Sequence, residues 1–508
     1  MSSLALPREA ALTRGRLRAL PAVFSQRGSD VLLGVAILAL GAVLLASLPS
    51  AFDVDSWLAL VTGREIWHAG LPQHESLTVI AHGVRWVDQQ WLSQLVSYAV
   101  YLLGGLGLLG VFNVALLTAG VGGAVLAARR LGAVPRGVAV VLPLALFLIV
   151  PSREVRTQEL AMPLFVALAW LLASDSRTPS RRVYWCLPIL VLWANLHGTV
   201  TQGALLVVLR GVTLAWERRS TLTSSAAAWA RPVTLVLGAL LSLLATPYGL
   251  GIVAYYKATL FGGTLTHAVT EWQPITSASL TAGAFFLLAG VALWSFGRSP
   301  ANTTSWERLS LLVLAAGSVA VIRNVLFFAL FAVIVLPLSL GLASGREQVR
   351  DRLRGPVNAL LSATAVAAVA LATVVTLARP SATLEFNYQR AGVLSAVERA
   401  TRAIPSLRVL TDDRFADWLL WRDPGLSGRL AYDVRYELLP GGQLQRLQAV
   451  LSVLGADWSA GARGYRLLVL DRKHDALAVR AFLGERGSRT LYDDGERMVI
   501  LRAAAQAA

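Results

Sequence analysis

Apolar runs of fifteen to twenty-four residues recur along this 508-residue chain, each closed by a short cluster of polar or charged residues. Runs of about 20 apolar residues with few charges read as transmembrane helices. Eleven are predicted, over 31–50, 105–128, 137–151, 159–174, 183–198, 199–216, 232–250, 278–297, 308–322, 324–343 and 357–378. Two neighbouring pairs are almost continuous, interrupted at His197-Gly198 and at Arg323-Asn324. After the last span the period changes. RVLT (408–411), RLAYDV (429–434) and YRLLVL (465–470) read as strands, and stretches near 413–421, 441–455 and 475–486 as helices. Asp494-Gly495 in LYDDGERMVIL marks a hairpin turn. The predicted fold is therefore an α-helical polytopic membrane protein with a small C-terminal α/β domain. Residues 1–30 form an N-terminal tail, 31–379 the membrane domain, and 380–508 the α/β domain.

Composition agrees with that pattern: 55% of residues are hydrophobic, above the 45–50% usual for soluble domains. The formal net charge is +16, which in a soluble protein would raise nucleic-acid binding. Here the arginines lie in short loops between apolar runs, so they set topology, and no nucleic-acid partner is expected. With the N-terminus in the cytoplasm, the inside segments carry Arg8, Arg14, Arg16, Arg18, Arg27, Arg129, Arg130, Arg136, Arg177, Arg181, Arg182, Arg218, Arg219, Arg231, Arg298, Arg308, Arg346, Arg350, Arg352 and Arg354. The outside loops carry Arg64, Arg85, Arg153, Arg156, Lys257 and Arg323. The asymmetry predicts a plasma (inner) membrane protein with a cytoplasmic N-terminus and an extracytoplasmic C-terminal domain. One cysteine, Cys186, allows no internal disulfide.

That orientation gathers the remaining polar residues on the outer side. Asp53 and Asp55 follow the first span. Arg153, Arg156 and Glu159 lie between the third and fourth. Asn195 and His197 end the fifth, while Tyr248, Lys257, His267, Glu271 and Trp272 follow the seventh. Arg323 and Asn324 interrupt the ninth and tenth. Ionisable groups at membrane depth face a cavity or a partner. The opposite ends carry arginines but few comparable His, Asn or acidic groups. The outer loop 51–104 reads as two interfacial helices, with Asp55-Ser56 capping the first and Trp57, Trp67, Trp86 and Trp91 at headgroup depth.

Transfer of a sugar from a lipid phosphate needs such a place. It requires a carboxylate base for the acceptor hydroxyl, cations for the departing phosphate and an apolar groove for the lipid. Asp53 or Asp55 supplies the base. Arg153, Arg156, His197 and Arg323 serve the phosphate, arginine through its bidentate fork. The Asp-x-Asp pair, Asp53 and Asp55, also offers oxygen ligands to a divalent cation. Zinc-ligand spacing and a phosphate-cradling glycine loop are both missing from the sequence. The tail acids Asp412, Asp413 and Asp433 are expected to decorate a surface.

The stretches D53-V-D-S-W57 with TGREIWHAGLP, W91-L-S-Q, L192-W-A-N-L-H-G198, T246-P-Y-G249, E271-W-Q-P274 and I322-R-N-V325 occur in an order that resembles the bacterial integral-membrane glycosyltransferases of the GT-C superfamily. The chain is most similar to a subgroup with an extracytoplasmic C-terminal α/β domain. Leu58, Leu60 and Gln90 depart from that subgroup's usual residues. The resemblance implies inverting transfer from a polyprenyl-phosphate sugar to an extracytoplasmic acceptor, with Asp53 or Asp55 as base. It also implies that His197, Glu271 and Arg323 line one cavity, beside which Asn195 and Asn324 are candidate binding residues. The rival expectations are a transporter or flippase, and a non-catalytic envelope-polysaccharide assembly protein. A transporter would show internal repeats and polar groups near the bilayer midplane, and the sequence shows neither.

Overall fold

The structure is a computed structural model that describes residues 30–219, 226–261, 269–275, 279–340, 355–385, 387–388, 391–439 and 441–504. The N-terminal tail as far as Gly28 and Ser29, His267, and the arginines at 346, 350, 352 and 354 lie outside the described residues. The membrane domain contains α1 (Asp30–Ala46), α2 (Val54–Ala69), α3 (Trp91–Arg130), α4 (Pro135–Ile149), α5 (Ala161–Arg177), α6 (Cys186–Leu196) and α7 (Val200–Glu217). It continues through α8 (Ala230–Leu244), α9 (Gly251–Phe261), α10 (Leu280–Arg298), α11 (Ser305–Ala320), α12 (Val325–Ser339) and α13 (Gly355–Ala378).

Each predicted span falls on one of these helices, and seven helices among the described residues are long and apolar enough to cross a bilayer. The apolar face sets each helix's place. Phe327, Phe328, Phe331, Val335 and every other residue of α12 except Leu338 are buried, as expected of a central helix. The leucines and valines of α13 are largely exposed, so it lies at the periphery. The predicted span over 232–250 stops at Leu244, and the chain turns through Thr246-Pro247 into α9. Pro247 has no N–H to continue the helix and disfavours helical backbone at Thr246. The second predicted interfacial helix is the first part of α3, broken from its membrane part at Gly104 and Gly105, where φ is +66° at Gly105.

The start of α2 corrects the predicted cap. Asp53, not Asp55, is the N-cap: Ser56 N–H donates to Asp53 Oδ1 (3.3 Å), and Asp53 N–H donates to Ser56 Oγ (3.1 Å). The Asp53/Ser56 spacing is that of a capping box, which leaves Asp55 in the first turn with its side chain free to point elsewhere. Trp57 and Trp86 are buried inside the protein rather than set at headgroup depth. Trp57 packs on Phe52 and Tyr388, and Trp86 lies under Arg435. Trp67 remains half exposed.

The C-terminal domain has α14 (Ala391–Ala403), β1 (Val409–Thr411), α15 (Asp413–Arg422), α16 (Gln443–Ser452), β2 (Leu467–Asp471), α17 (Ala476–Leu483), β3 (Arg489–Asp493) and β4 (Arg497–Leu501). Strand order is β1-β2-β4-β3, with β1 parallel to β2 and the other pairs antiparallel. Alternation along the strands gives the sheet two apolar faces. Val409, Leu467, Val469 and Val499 join α14, α15 and the membrane-domain core. Leu410, Leu468, Leu470 and Ile500 pack with Leu447 of α16 and Phe482 of α17. The predicted strand RLAYDV is not one. Its ladder is one residue long on each side, with Leu430 bridging Val409 and Thr78. Val79 and Ile80 N–H groups donate to Leu430 O and Ala431 O (2.7 and 3.1 Å), so this segment fastens the domain to the first loop. Arg64 of α2 donates to Leu420 O and Trp421 O (2.8 and 3.0 Å) at the end of α15, satisfying carbonyls that the helix leaves open.

The end of the bundle opposite the first loop holds more acidic groups than expected, each closed by arginine. Asp175 of α5 accepts from Arg210 of α7 (2.9 Å) and pairs with Arg231 of α8. Glu307 pairs with Arg177 (2.7 Å).

Packing of α2 on α3 depends on Gly63. A Cβ there would lie 2.3 Å from Gln94 O and 2.7 Å from Tyr98 Cβ. Gly63→Ala is therefore expected to destabilise by about 1–3 kcal/mol. Gly283→Ala, in a helix with open space around it, leaves the melting temperature unchanged or raised. Thermal unfolding of both variants checks the difference.

Candidate functional site

Three segments far apart in sequence meet at Arg156. Its Nη2 lies 2.9 Å from Asp53 Oδ2, its Nε 3.1 Å from Asp55 Oδ2, and its Nη1 2.6 Å from Glu271 Oε1; Glu154 pairs with Nη2 as well. The planar fork of arginine permits this, because its donors point in fixed, separate directions. The surplus of carboxylates is tempered by protonation. Burial, then the neighbouring Asp55 charge, push the Asp53 carboxyl up to about 8 against the pull of Arg156. Burial also raises Glu154. Glu271 goes the other way: burial opposes its charge, but Arg156 and Arg323 together hold it below the usual carboxylate range. Arg156 itself stays protonated, since its four carboxylates outweigh its burial.

Beside this cluster lies a cavity of about 440 Å³, bordered by Asp55, Arg156, His197, Glu271, Arg323 and Asn324. His197 is positioned by the break between α6 and α7. Its Nδ1 lies 2.9 Å from Thr199 Oγ1 and its Nε2 3.3 Å from Arg323 Nη2. Arg323 Nε donates to Gln158 Oε1 (2.8 Å), and its guanidinium lies 5.9 Å from the Trp272 ring centroid. Asn324 accepts from Gln202 Nε2 (2.9 Å) and donates to Gly317 O (3.0 Å). The loop carrying Glu271 is tied to α11 by Ile275 N–H to Val319 O and by Ile322 N–H to Gln273 O (3.0 and 3.1 Å).

Three candidates stand outside the cavity wall. Asp53 spends one oxygen on Ser56 and the other on Arg156. Asn195 Oδ1 accepts from Trp91 Nε1 (3.0 Å), and its Nδ2 donates to Val191 O and Ala245 O, locking α3, α6 and α8 together. Arg153 does not border the cavity, and its Nε is buried without a partner. Asp55 differs from Asp53: its side chain is 33% exposed, and its Oδ1 has no hydrogen bond among the described residues. As for a divalent cation, no three acidic, His or Cys side chains among the described residues are grouped to hold one. Asp53 Oδ2 and Asp55 Oδ2 both bind the Arg156 guanidinium.

The tail supplies a second wall. Asp413, Arg414, Arg435, Tyr436 and Glu437 border the same cavity. The expectation that Asp412, Asp413 and Asp433 decorate a surface is thus overturned: Asp413 lines the cavity, while Asp412 and Asp433 are buried. Asp412 caps α15 and pairs with Arg497 (2.5 Å), and Asp433 holds Arg435. Gln89, Gln90 and Gln202 also border the cavity, and neutral amides of this kind carry no sequence signal.

Fold and site together define a polytopic helical membrane protein whose α/β domain closes a polar cavity at one end of the bundle. No family model matches the sequence, and no curated protein matches it. Solved structures are similar in fold. The apo oligosaccharyltransferase of Archaeoglobus fulgidus is 10% identical, with a TM-score of 0.49 over 87% of this chain and 71% of that one. AglB from Archaeoglobus fulgidus, in complex with an inhibitory peptide and a dolichol-phosphate, is 11% identical, with a TM-score of 0.48 over 92% and 74%. The arabinofuranosyltransferase AftD from Mycobacteria is 16% identical, with a TM-score of 0.49 over 92% of this chain and 40% of that chain. All three are named as sugar transferases, and the likeness concerns the fold alone.

The raised Asp53 predicts a pH signature. Below about pH 4 the carboxyl is protonated in both folded and unfolded chains. Between about 4 and about 8 the folded state keeps a proton that the unfolded state has released, so this group's contribution falls as pH rises and levels off above 8. Asp53→Asn still caps the helix and flattens the melting temperature over that window. Parallel curves for the two proteins would contradict the assignment.

Proposed function

We propose that this protein is a membrane glycosyltransferase that moves a sugar from a polyprenyl-phosphate carrier to an extracytoplasmic acceptor. The observation that carries the reading is the shared cavity: a carboxylate with a free oxygen, Asp55, and a guanidinium–imidazole pair, Arg323 and His197, border one chamber. Acceptor activation needs the first and a departing lipid phosphate needs the second. The excess of loop arginines on the opposite side supports an extracytoplasmic cavity.

In this scheme the acceptor hydroxyl attacks the anomeric carbon of the sugar, and Asp55 Oδ1 takes the hydroxyl proton. The new C–O bond forms as the bond from the anomeric carbon to the phosphate oxygen breaks. The electron pair leaves on the lipid phosphate, which Arg323 stabilises with its paired donors. A single displacement inverts the anomeric centre. Arg156 holds Asp55 in place. His197 orients Arg323 through its Nε2. In this scheme the Arg156 guanidinium, which pairs with both first-loop carboxylates, stands where a divalent cation would otherwise sit.

Asp55→Asn is expected to lower transfer from a labelled polyprenyl-phosphate sugar by roughly 10²- to 10⁴-fold without changing the melting temperature. Arg323→Ala lowers it as well, mainly by weakening retention of the lipid phosphate. Proteoliposome assays of the purified protein against a panel of such donors provide the measurement. Full transfer by both variants would eliminate the scheme.

A further inference from the structure

The wall formed by the first loop and the C-terminal domain holds buried polar atoms that have no hydrogen-bond partner among the described residues. Arg435 is only 4% exposed. Its Nε and Nη2 are taken by Asp433 and Glu75, with 2.7 Å to Glu75 Oε1, and it lies 4.3 Å from the Trp86 ring centroid. Its Nη1 has no hydrogen-bond partner among the described residues. Among the described residues, Gln89, 7% exposed, keeps Oε1 without a donor, and Tyr256 Oη and Thr259 Oγ1 on α9 are likewise buried and unpaired. All four residues border the cavity. Native proteins rarely leave such groups unmatched, because each forfeits its hydrogen bonds to water. The space between them is kept open at Gly198, where a Cβ would come within 3.3 Å of both Gln89 Oε1 and Tyr255 Oη.

The charge of this wall selects the ligand. Arg435 is neutralised by Asp433 and Glu75, and Asp413 and Glu437 border the cavity together with Arg414. Two arginines thus stand against four carboxylates, so the wall offers an anion no net positive charge. What remains is a guanidinium N–H, an amide oxygen and two hydroxyls that both donate and accept. Neighbouring hydroxyls of a neutral sugar ring offer the complementary set. We infer that this wall is a binding subsite for a neutral, hydroxyl-rich ring, held between Gln89 and Arg435 on one side and Tyr256 and Thr259 on the other. In the resting protein, water fills these positions, and ring hydroxyls replace it. The inference takes its place in the reaction from the transfer reading above, and either the sugar of the lipid carrier or the acceptor glycan can be the occupant.

Saturation-transfer NMR on the full chain in nanodiscs tests it, with neutral methyl glycosides as probes and methyl glucuronide as the anionic control. Neutral glycosides are expected to bind and the glucuronide to bind more weakly. Gln89→Leu and the near-isosteric Thr259→Val should each weaken binding by roughly tenfold, and Gly198→Ala should block it. Displacement of the glycoside by a prenyl-phosphate sugar, but not by prenyl phosphate, assigns the subsite to the carrier's sugar; displacement by neither assigns it to the acceptor. Absence of neutral-glycoside binding, or binding that Gln89→Leu and Thr259→Val leave intact in folded protein, overturns the inference. If these variants abolish binding while transfer ignores Asp55, the subsite stands and the acid–base scheme falls.

Discussion

One guanidinium organises the functional end of this protein. Arg156 draws together Asp53 and Asp55 from the loop after α1, Glu154 from its own loop, and Glu271 from the loop after α9. Four carboxylates around one cation would repel one another without it. With it, they fix three loops that no secondary structure connects. The consequence is asymmetric. Asp53 is saturated and holds the start of α2, whereas Asp55 has one oxygen restrained and the other available. Glu271, drawn to both Arg156 and Arg323, links the acidic part of the cavity to the cationic part.

The C-terminal domain repeats this device. Arg435 is held by Asp433 of its own segment and by Glu75 of the first loop, and Glu75 in turn accepts the Leu77 and Thr78 N–H groups (2.7 and 3.0 Å). A buried ion pair of this sort adds little net stability, but it is costly to break by removing one partner, which specifies how the two parts meet. Continuity of the apolar core from α12 through α2 and α15 to the sheet supplies the bulk of the attraction. Two arginines set the register, and the cavity lies where both face.

Much of this was legible in the chain. Apolar run length located every predicted span, because lipid-facing helices cannot conceal their composition. Polar interruptions at His197-Gly198 and Arg323-Asn324 pointed to the cavity, since such groups have few other uses at membrane depth. The cap at Asp53 was misplaced although Asp53 and Ser56 stand at capping-box spacing, because the two aspartates of D-V-D-S compete for the role. Burial of Trp57 and the failure of 429–434 to form a strand depend on what packs against them, which local pattern does not encode. Asp413, Arg435 and Glu437 were invisible as cavity residues for the same reason: a charged residue in a soluble-looking tail reads as surface until its neighbours are known.

Chemical rescue of Arg156→Gly tests the central role of that guanidinium most directly. The melting temperature and donor binding of the variant would be measured with and without millimolar guanidinium, using ammonium as a control for charge alone. The account predicts a destabilised protein that free guanidinium restores and ammonium does not. A variant as stable as the parent, or one that ammonium rescues equally well, would show that the planar fork of Arg156 does not hold these loops together.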